Sequence, residues 1–441
     1  MNLRNLKGTK DFLPEEQIYR YKIRRVCEGI FQKYAYVPME TPILNYFELL
    51  ASKYAGGAEV LKEVFRLKDQ GERELALRYD LTVPFAKVIG MNPYLTLPFK
   101  RYEIGKVFRD GPVKTGRMRE FTQCDVDVTG IKSMMAEAEL LTILVEVFEQ
   151  LSLDITIQYN NRKLLRGILS GVGVKEERIN KVILILDKME KVGVSEVSRE
   201  LGENGVDSKT TSQILKALRF KEEDSGNKFE FFLNSFDNQA VKEGVKELRE
   251  LNEYLQILSL SNRVKFNPFL ARGLDFYTGT VYEAFLIDHR ITSSVAAGGR
   301  YDRIIGDLLA NGREYPVIGL SFGLDVIYSA LKLNGEQAIR ASADVYIIPL
   351  GTVRESLELA NQLRQDRIAV DIEMDNRKLK KSLDYANKKG IPLVIILGEN
   401  ELKAGIVKIK NMLTGQNSEV VRSELTPYLR SLIPKPGWNL T

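Results

Sequence analysis

The sequence contains 441 residues, of which 44% are hydrophobic and 28% are charged. A chain of this length is expected to divide into two or three domains, each able to bury its own core. Its 64 Lys and Arg against 59 Asp and Glu give a net charge of +5, which permits a polyanionic partner without demanding one.

Residues 14–34 predict an amphipathic helix that packs on a sheet, because Pro14 stands at its start and apolar residues recur at helical spacing. The segment YVPMETPILNYFELL then indicates a strand that ends at Pro42, a position typical of an edge strand. Apolar runs over 64–67 and 75–78 flank Asp69-Gln70-Gly71 and predict a hairpin.

Asp80 and Thr82 precede the apolar segment 83–89. As local structure, this pattern predicts a helix whose N-terminus is capped by a side chain. An acidic group is stabilised at a helix N-terminus in any case, so capping is compatible with a second role for Asp80.

Residues 99–130 predict two long antiparallel strands, 101–108 and 120–128, joined by a mobile cationic loop. Strand side chains alternate in direction, so Gln123, Asp125 and Asp127 share one face. We expect Arg109 of the partner strand to lie opposite this face. The face is therefore polarised, with one end suited to an anion and the other to a cation.

The chain then alternates between helical and extended patterns. A helix is predicted over 134–151, a strand over 153–159, and a helical insertion over about 161–262. The stretch ARGLDFYTGTVYEAF, residues 271–285, predicts a turn and a strand with alternating aromatics. Arg272 and Asp275 lie within this otherwise apolar stretch, where unpaired charges would be costly.

A new domain is predicted after a polar linker over 334–342. Strand patterns at ADVYIIPLG, RIAVDIEMD and IPLVIILG alternate with helices over 353–365 and 378–389, which indicates a small α/β sheet. The second helix lies in NRKLKKSLDYANKKG, which carries six Lys or Arg residues. This run is either a basic face for an RNA backbone or simply a solvated helix face.

The small numbers of histidine and cysteine residues limit the chemistry that the protein can perform. His289 is the one histidine, so a histidine base and a site with several histidine ligands are nearly excluded. Cys27 and Cys124 have no metal-like spacing, and no metal site is predicted in the protein. No apolar run approaches the roughly 20 residues of a membrane helix, and MNLRNLKGTKDF lacks the apolar region of a signal peptide. We expect a cytoplasmic protein with reduced cysteines and no membrane partner.

Several of these stretches resemble the class II aminoacyl-tRNA synthetases, in the form found in the histidyl-tRNA synthetase family. FRDGPVKTGRMREF followed by TQCDVD resembles motif 2, YVPMETPILNYFELL resembles motif 1, and PVIGLSFGLDVIYSAL resembles motif 3. ARGLDFYTGTVYEAF and AGGRYDR match the two signatures that are specific to histidyl-tRNA synthetases.

The resemblance implies an ATP site and a catalytic arginine. Arg109 would grip the α-phosphate of ATP and the amino-acid carboxylate, the loop with Arg117 would cover the triphosphate, and Phe121 would stack on adenine. Arg272 would be the catalytic arginine, adding positive charge at the α-phosphate during attack. Guanidinium suits these tasks because it binds phosphate and carboxylate through two planar prongs.

The resemblance also implies a pocket for L-histidine. Its residues would be Asp80, Thr82, Gln123, Asp127, Tyr277 and Tyr301. The first three would hold the α-ammonium, Asp127 and Tyr277 would bind the imidazole from opposite sides, and Tyr301 would line the pocket. A carboxylate and a phenol suit a neutral imidazole, which offers one donor and one acceptor.

The implied protein is a histidine–tRNA ligase that uses ATP with Mg²⁺ and acts on tRNA(His). Its fold class would be an α+β catalytic domain with an antiparallel sheet over 1–333, including the helical insertion, followed by an α/β anticodon-binding domain over 342–441. The motif 1 strand would pair two subunits into a homodimer. The insertion would touch the tRNA acceptor stem, although a role in packing alone is equally compatible with its helices.

Motif 3 departs from the family pattern, because Val326 stands where an arginine for the ATP γ-phosphate is expected. Two alternatives lack ligase activity, and Val326 supports only the second of them. One is a histidine-sensing paralogue like the regulatory subunit of ATP phosphoribosyltransferase, which characteristically lacks the anticodon domain and the catalytic arginine. The other is a tRNA-binding sensor that has lost ATP chemistry.

Overall fold

The computed structural model describes residues 2–54, 61–113, 116–218, 228–272, 276–333 and 343–433. The chain forms two compact units, Met1–Asp11 with Ile23–Gly335 and Phe12–Lys22 with Glu336–Thr441. The predicted linker over 334–342 lies outside the described residues. No helix in the described ranges combines the length and apolar character that a membrane span requires.

The strands described up to residue 333 are β1 (Val37–Pro38), β2 (Leu44–Tyr46), β3 (Arg66–Lys68), β4 (Glu74–Leu77), β5 (Phe99–Phe108), β6 (Glu120–Thr129), β7 (Ile155–Asn161), β8 (Val264–Phe266), β9 (Thr280–Leu286), β10 (Ala296–Arg300) and β11 (Val317–Gly323). The helices are α1 (Pro14–Lys33), α2 (Phe47–Tyr54), α3 (Thr82–Met91), α4 (Met135–Gln150), α5 (Arg162–Gly171), α6 (Glu176–Leu186), α7 (Met189–Glu203), α8 (Ser208–Leu218), α9 (Lys228–Ser235), α10 (Gln239–Ile257), α11 (Ile304–Leu308) and α12 (Leu324–Leu333).

The main sheet of the larger unit has the strand order β1-β5-β6-β11-β10-β9-β7-β8. Neighbours from β5 to β7 are antiparallel, and only the short edge strands β1 and β8 pair in parallel. The predicted antiparallel catalytic sheet is therefore confirmed. The predicted hairpin near Asp69 is also present, as β3 and β4 in a separate sheet with the order β2-β4-β3.

The hairpin of β5 and β6 lies near the middle of the main sheet, and its two faces differ in polarity. On one face, Phe31 of α1 and Phe148 of α4 pack on the ring of Phe322 in β11, with ring centroids 5.8 and 5.9 Å away. Cys124 is fully buried on this side of β6. The other face carries Gln123, Asp125 and Asp127, as strand alternation predicts. Helices α1 and α4 thus cover the apolar face of the sheet, and the polar side chains of β6 lie on the other face.

Among the described residues, helices α5 to α10 fill the chain between β7 and β8, where the insertion is predicted. The first and last of them cross closely, because a Cβ placed on Gly244 of α10 would lie 2.5 Å from the backbone N of Leu164 in α5. Glycine at this crossing lets the two backbones approach each other.

The smaller unit contains β12 (Val345–Leu350), α13 (Val353–Gln365), β13 (Val370–Ile372), α14 (Leu379–Lys388), β14 (Leu393–Gly398), α15 (Glu399–Ala404), β15 (Ile406–Asn411), β16 (Asn417–Val421) and α16 (Leu425–Leu432). The order β13-β12-β14-β15-β16 joins three parallel strands to an antiparallel pair. The predicted α/β unit is confirmed.

Candidate active site

The register of the central hairpin corrects one prediction. Arg109 does not lie opposite the polar face of β6, because its N–H pairs with the carbonyl of Arg119 beyond the end of the strands. The residue across from Asp127 is Arg101. Arg101 is fully buried, and its Nη2 lies 2.9 Å from Asp127 Oδ2. Asp127, which is predicted to bind the imidazole, is therefore paired with an arginine to which no motif gave a role.

Asp127 is also held by a predicted pocket residue. The hydroxyl of Tyr301 donates to Asp127 Oδ1 at 2.5 Å, and both side chains are buried. Burial raises the pKa of the Asp127 carboxyl, while Arg101 and the Tyr301 hydrogen bond act in the opposite direction. Burial and the two polar partners therefore have opposing effects on the pKa of a carboxyl group in a buried pocket.

Glycines make room for this arrangement. A Cβ on Gly319 would lie 1.8 Å from Asp127 Oδ1, and one on Gly299 would lie 2.9 Å from the Tyr277 ring. Distances this short are not compatible with any larger residue. Gly299 of the AGGRYDR signature and Gly319 thus allow two pocket side chains to sit directly against a strand backbone.

Arg272 borders the same pocket. Its guanidinium carbon lies 5.3 Å from the centroid of the Tyr277 ring, and Nη1 is 3.6 Å from Glu283 Oε1. Only 16% of the side chain is exposed, and Nη1 has no hydrogen-bond partner among the described residues. Arg272 also adopts a φ of 47°, in the left-handed region that non-glycine residues rarely occupy.

Two buried side chains hold the segment that carries Arg272. The guanidinium of Arg162 donates to the carbonyl of Ala271 at 2.9 Å. The amide of Asn160 donates to the carbonyls of Pro268 and Leu270 at 3.0 and 2.9 Å. These contacts fix the backbone next to Arg272, which stabilises its unusual conformation.

Asp80 lies where α3 begins. The N-cap residue is Leu81, which makes no side-chain capping bond, and Thr82 is the first residue of the helix. Asp80 lies one residue before this cap, and its Oδ1 accepts the N–H of Val83 at 3.0 Å. Burial raises the pKa of both Asp125 and Asp127, and the negative charge of Asp80 adds to this increase. The carboxylate of Asp80 therefore acts electrostatically on the polar face of β6.

Arg109 lies between two aromatic rings at the adjoining end of the hairpin. Its guanidinium carbon is 4.2 Å from the Tyr79 ring centroid and 5.0 Å from that of Phe121. Its Nε donates to the carbonyl of Tyr79 at 3.3 Å. Because Asp80 follows Tyr79 directly, the predicted ATP residues meet the predicted histidine pocket at this point.

Arg117 is exposed and forms an ion pair with Glu63, with 2.9 Å between Nη2 and Oε1. The hydroxyl of Tyr79 donates to the other oxygen of Glu63 at 3.1 Å. The charge of this exposed arginine is thus paired with Glu63.

Val326 lies under the loop that joins β5 to β6. A Cβ on Gly116 of this loop would lie 3.7 Å from Val326 Cγ2. The neighbouring Asp325 is buried, and its Oδ2 accepts the N–H of Thr122 at 2.8 Å, which ties α12 to β6. An arginine at position 326 would therefore stand beside the predicted triphosphate loop.

The structure thus groups the predicted site residues into two sets. The predicted histidine pocket contains Asp127, Tyr301 and Tyr277 with Arg272 beside them, and the predicted ATP residues Arg109 and Phe121 form the second set. Sequence reasoning gave no role to Arg101, and Asp125 was seen only as part of a charged face. No motif marks Arg101, which is identified by the hairpin register that pairs it directly with Asp127.

Comparisons with known proteins identify the family. The family profile described as Histidyl-tRNA synthetase matches residues 8–327, and the one described as Anticodon binding domain matches residues 344–432. A relative named Histidine--tRNA ligase 1, from Bacillus cereus, is 53% identical over 434 residues, which cover 97% of this chain and all of the relative.

Two solved structures share the fold. The crystal structure of histidyl-tRNA synthetase from Nostoc sp. PCC 7120 has a TM-score of 0.85 and 30% identity, and the match covers 98% of this chain and 99% of the other. A structure described as an ATP phosphoribosyltransferase regulatory subunit/histidyl-tRNA synthetase from Bacillus halodurans C has a TM-score of 0.74 over 90% of this chain and 99% of the other. At 20% identity, the second likeness concerns the fold alone. The profile matches and the full-length identity place this chain in the histidyl-tRNA synthetase family.

Proposed function

We propose that this protein is a histidine–tRNA ligase, which activates L-histidine with ATP and transfers the histidyl group to the 3′ end of tRNA(His). The observation that carries the proposal is the buried contact of Asp127 with Tyr301, beside Tyr277 and Arg272. It offers a carboxylate and phenols to an imidazole, next to a cation suited to a reacting phosphate.

In the first step, a carboxylate oxygen of histidine attacks the α-phosphorus of ATP, and the bond to pyrophosphate breaks. Arg109 binds the α-phosphate and the carboxylate, while Arg272 adds positive charge as the negative charge develops. Both act by positioning and electrostatic stabilisation, without a covalent enzyme intermediate. In the second step, the terminal ribose hydroxyl of the tRNA attacks the carbonyl carbon of the adenylate and AMP leaves.

The residues of the histidine pocket each bind a different part of the substrate. Asp127 and Tyr277 bind the imidazole, Tyr301 holds Asp127 and lines the pocket, and Asp80, Thr82 and Gln123 receive the α-ammonium. For ATP, Arg117 leaves Glu63 to cover the triphosphate and Phe121 exchanges its contact with Arg109 for adenine.

Mg²⁺ would enter bound to the triphosphate, whose charge it neutralises. The described residues contain no group of three or more His, Cys, Asp or Glu side chains that could hold a metal ion. Mg²⁺ keeps several waters and uses few protein ligands, so the nucleotide would carry it into the site.

We further propose a catalytic domain over 1–333 and an anticodon-binding domain over 342–441. The five lysines of the basic run in the second domain are exposed, whereas Arg377 lies between Asp375 and Tyr385. Exposed lysines favour contact with an RNA backbone.

A cytoplasmic homodimer completes the proposal. Apolar side chains around motif 1 are half exposed, namely Val37, Ile43, Leu44 and Tyr46 at 40–53%. They all belong to the motif 1 segment, which includes the edge strand β1, and a second copy of the chain would cover them, as motif 1 implies.

Histidine-dependent ATP–pyrophosphate exchange with the purified protein tests the function. We expect exchange with histidine and none with the other amino acids. Absence of exchange, with histidine still bound in calorimetry, would overturn the ligase proposal in favour of a histidine sensor.

Val326 gives a second test. We expect Val326→Arg to lower the KM for ATP by about 10-fold, since a charge-assisted contact with the γ-phosphate contributes about 1.5 kcal/mol. The KM for histidine should not change. Val326→Met, which adds length without charge, is the matched control in the same exchange assay. Equal effects of Arg and Met would show that side-chain length, rather than charge, matters at this position.

A further inference from the structure

Asp125 is a buried carboxylate to which the reaction described above gives no task. It lies between Gln123 and Asp127 on the polar face of β6 and is 3% exposed. The Ser321 hydroxyl bonds the carboxyl group, yet Asp125 Oδ1 has no hydrogen-bond partner in the described ranges. An unsatisfied buried acceptor is costly, so a group normally present in the pocket is expected to fill it.

Gln123 shows the same feature two residues earlier. Its Nε2 donates to Ser321 Oγ at 2.7 Å, and its Oε1 is buried without a partner among the residues described. Ser321 is paired directly with Asp125 across β11 and β6. One hydroxyl thus fixes both side chains, leaving two acceptor oxygens on the same face of the sheet.

A neighbouring carboxylate shows what a purely structural role looks like. Glu103 is the residue opposite Asp125 on β5 and is equally buried. Its Oε1 accepts the N–H and the hydroxyl of Thr41, at 3.0 and 2.8 Å, and Nη1 of Arg78 at 2.8 Å. Glu103 is satisfied by the protein itself, whereas Asp125 is not.

The local charge balance favours a cationic ligand. Asp125 and Asp127 share one face of β6, and the charge of Asp80 acts on both. Arg101, buried among them, already forms ion pairs with Asp127 and Glu103. A primary ammonium supplies one positive charge and three donors, which matches the open oxygens of Asp125 and Gln123 and the carboxylate of Asp80.

We infer that Asp125 is a further substrate-binding residue, whose Oδ1 accepts a hydrogen bond from the α-ammonium of histidine beside Gln123 Oε1. The inference rests on the proposed function, because it concerns the same amino acid in the same pocket. It makes Asp125 a specificity residue for α-amino acids over imidazoles that lack the amine.

Three ligands separate this role from a structural one. L-Histidine and histamine both carry the ammonium, whereas 3-(imidazol-4-yl)propionate keeps the imidazole and carboxylate without it. For Asp125→Asn and Asp125→Ala, calorimetry should show histidine and histamine binding weakened by about 10- to 100-fold. Binding of the propionate should change by less than about 3-fold, within the range expected for an unaltered contact.

Glu120→Gln is the matched control, because it also converts a carboxylate of β6 to an amide but lies on the opposite face of the strand. It should leave all three affinities unchanged. Equal weakening of all three ligands by the Asp125 variants would overturn the inference, since Asp125 would then act on the shape of the pocket. Failure of the wild-type protein to bind histidine would instead reject the proposed function.

Discussion

Arg272→Ala is expected to lower the turnover number of histidine-dependent ATP–pyrophosphate exchange by about 10²–10³-fold, the range found when one stabilising donor is removed from a transition state. Adenylate formation should be close to abolished. Histidine binding and the thermal unfolding midpoint should change little, because the ion pair of Arg272 with Glu283 is loose, with 3.6 Å between Nη1 and Oε1. Rapid-quench experiments measure the rate of adenylate formation, and calorimetry measures the affinity for histidine.

The structure explains why the effect should concern turnover rather than binding. Arg272 Nη1 has no hydrogen-bond partner in the described part of the chain, and Arg162 and Asn160 hold the neighbouring backbone. The guanidinium is thus positioned in advance and needs little reorganisation as charge develops. Such a group stabilises the transition state more than the bound substrate.

Arg263→Ala supplies the control, since Arg263 is a surface arginine that pairs with Glu149 outside the site. It should retain wild-type turnover. Arg272→Lys should recover only part of the activity, because an ammonium cannot reproduce the two-pronged contact. Unchanged turnover in Arg272→Ala would refute the role assigned to this residue.

Local sequence patterns predicted the central hairpin well because alternation persists along both strands. The predicted spans 101–108 and 120–128 became Phe99–Phe108 and Glu120–Thr129. Register was harder to predict, since it depends on where the loop closes. The N–H of Arg109 bonds the carbonyl of Arg119 where the loop closes. In the same register, Arg101 lies directly opposite Asp127.

The strand after α4 shows another limit. A strand was predicted from Leu153, but Ser152 adopts a φ of 54° and the N–H of Leu153 bonds the carbonyl of Phe148. These residues therefore close the helix in a C-terminal turn, and β7 starts at Ile155. It continues through Asn160 and Asn161, against their low strand propensity, because both pair with β9.

The candidate site was predictable only where a motif names a residue. The resemblance gave Asp80, Gln123, Asp127 and Arg272 their roles, and the structure shows how each is held. Asp125 and Arg101 have no such motif, since their importance depends on burial and on which atoms lack partners. Neither quantity can be read from a single sequence.

Asp127→Ala is expected to raise the dissociation constant for histidine by at least about 10-fold, because a buried imidazole N–H would lose its acceptor. It should also destabilise the fold by about 3–5 kcal/mol, since Arg101 would remain buried with its nearest partner gone. Calorimetry and urea unfolding measure the two effects on the same protein.

The double variant Arg101→Met/Asp127→Ala separates the two roles of Asp127. Removing both charges takes away the uncompensated guanidinium, so stability should recover by more than the sum of the single effects predicts. Histidine binding should not recover, because the acceptor for the imidazole is still missing. Arg101→Met alone should lower stability and leave Asp127 as a buried carboxylate without its cation. If histidine affinity returned together with stability in the double variant, Asp127 would only shape the pocket and the imidazole would have another acceptor.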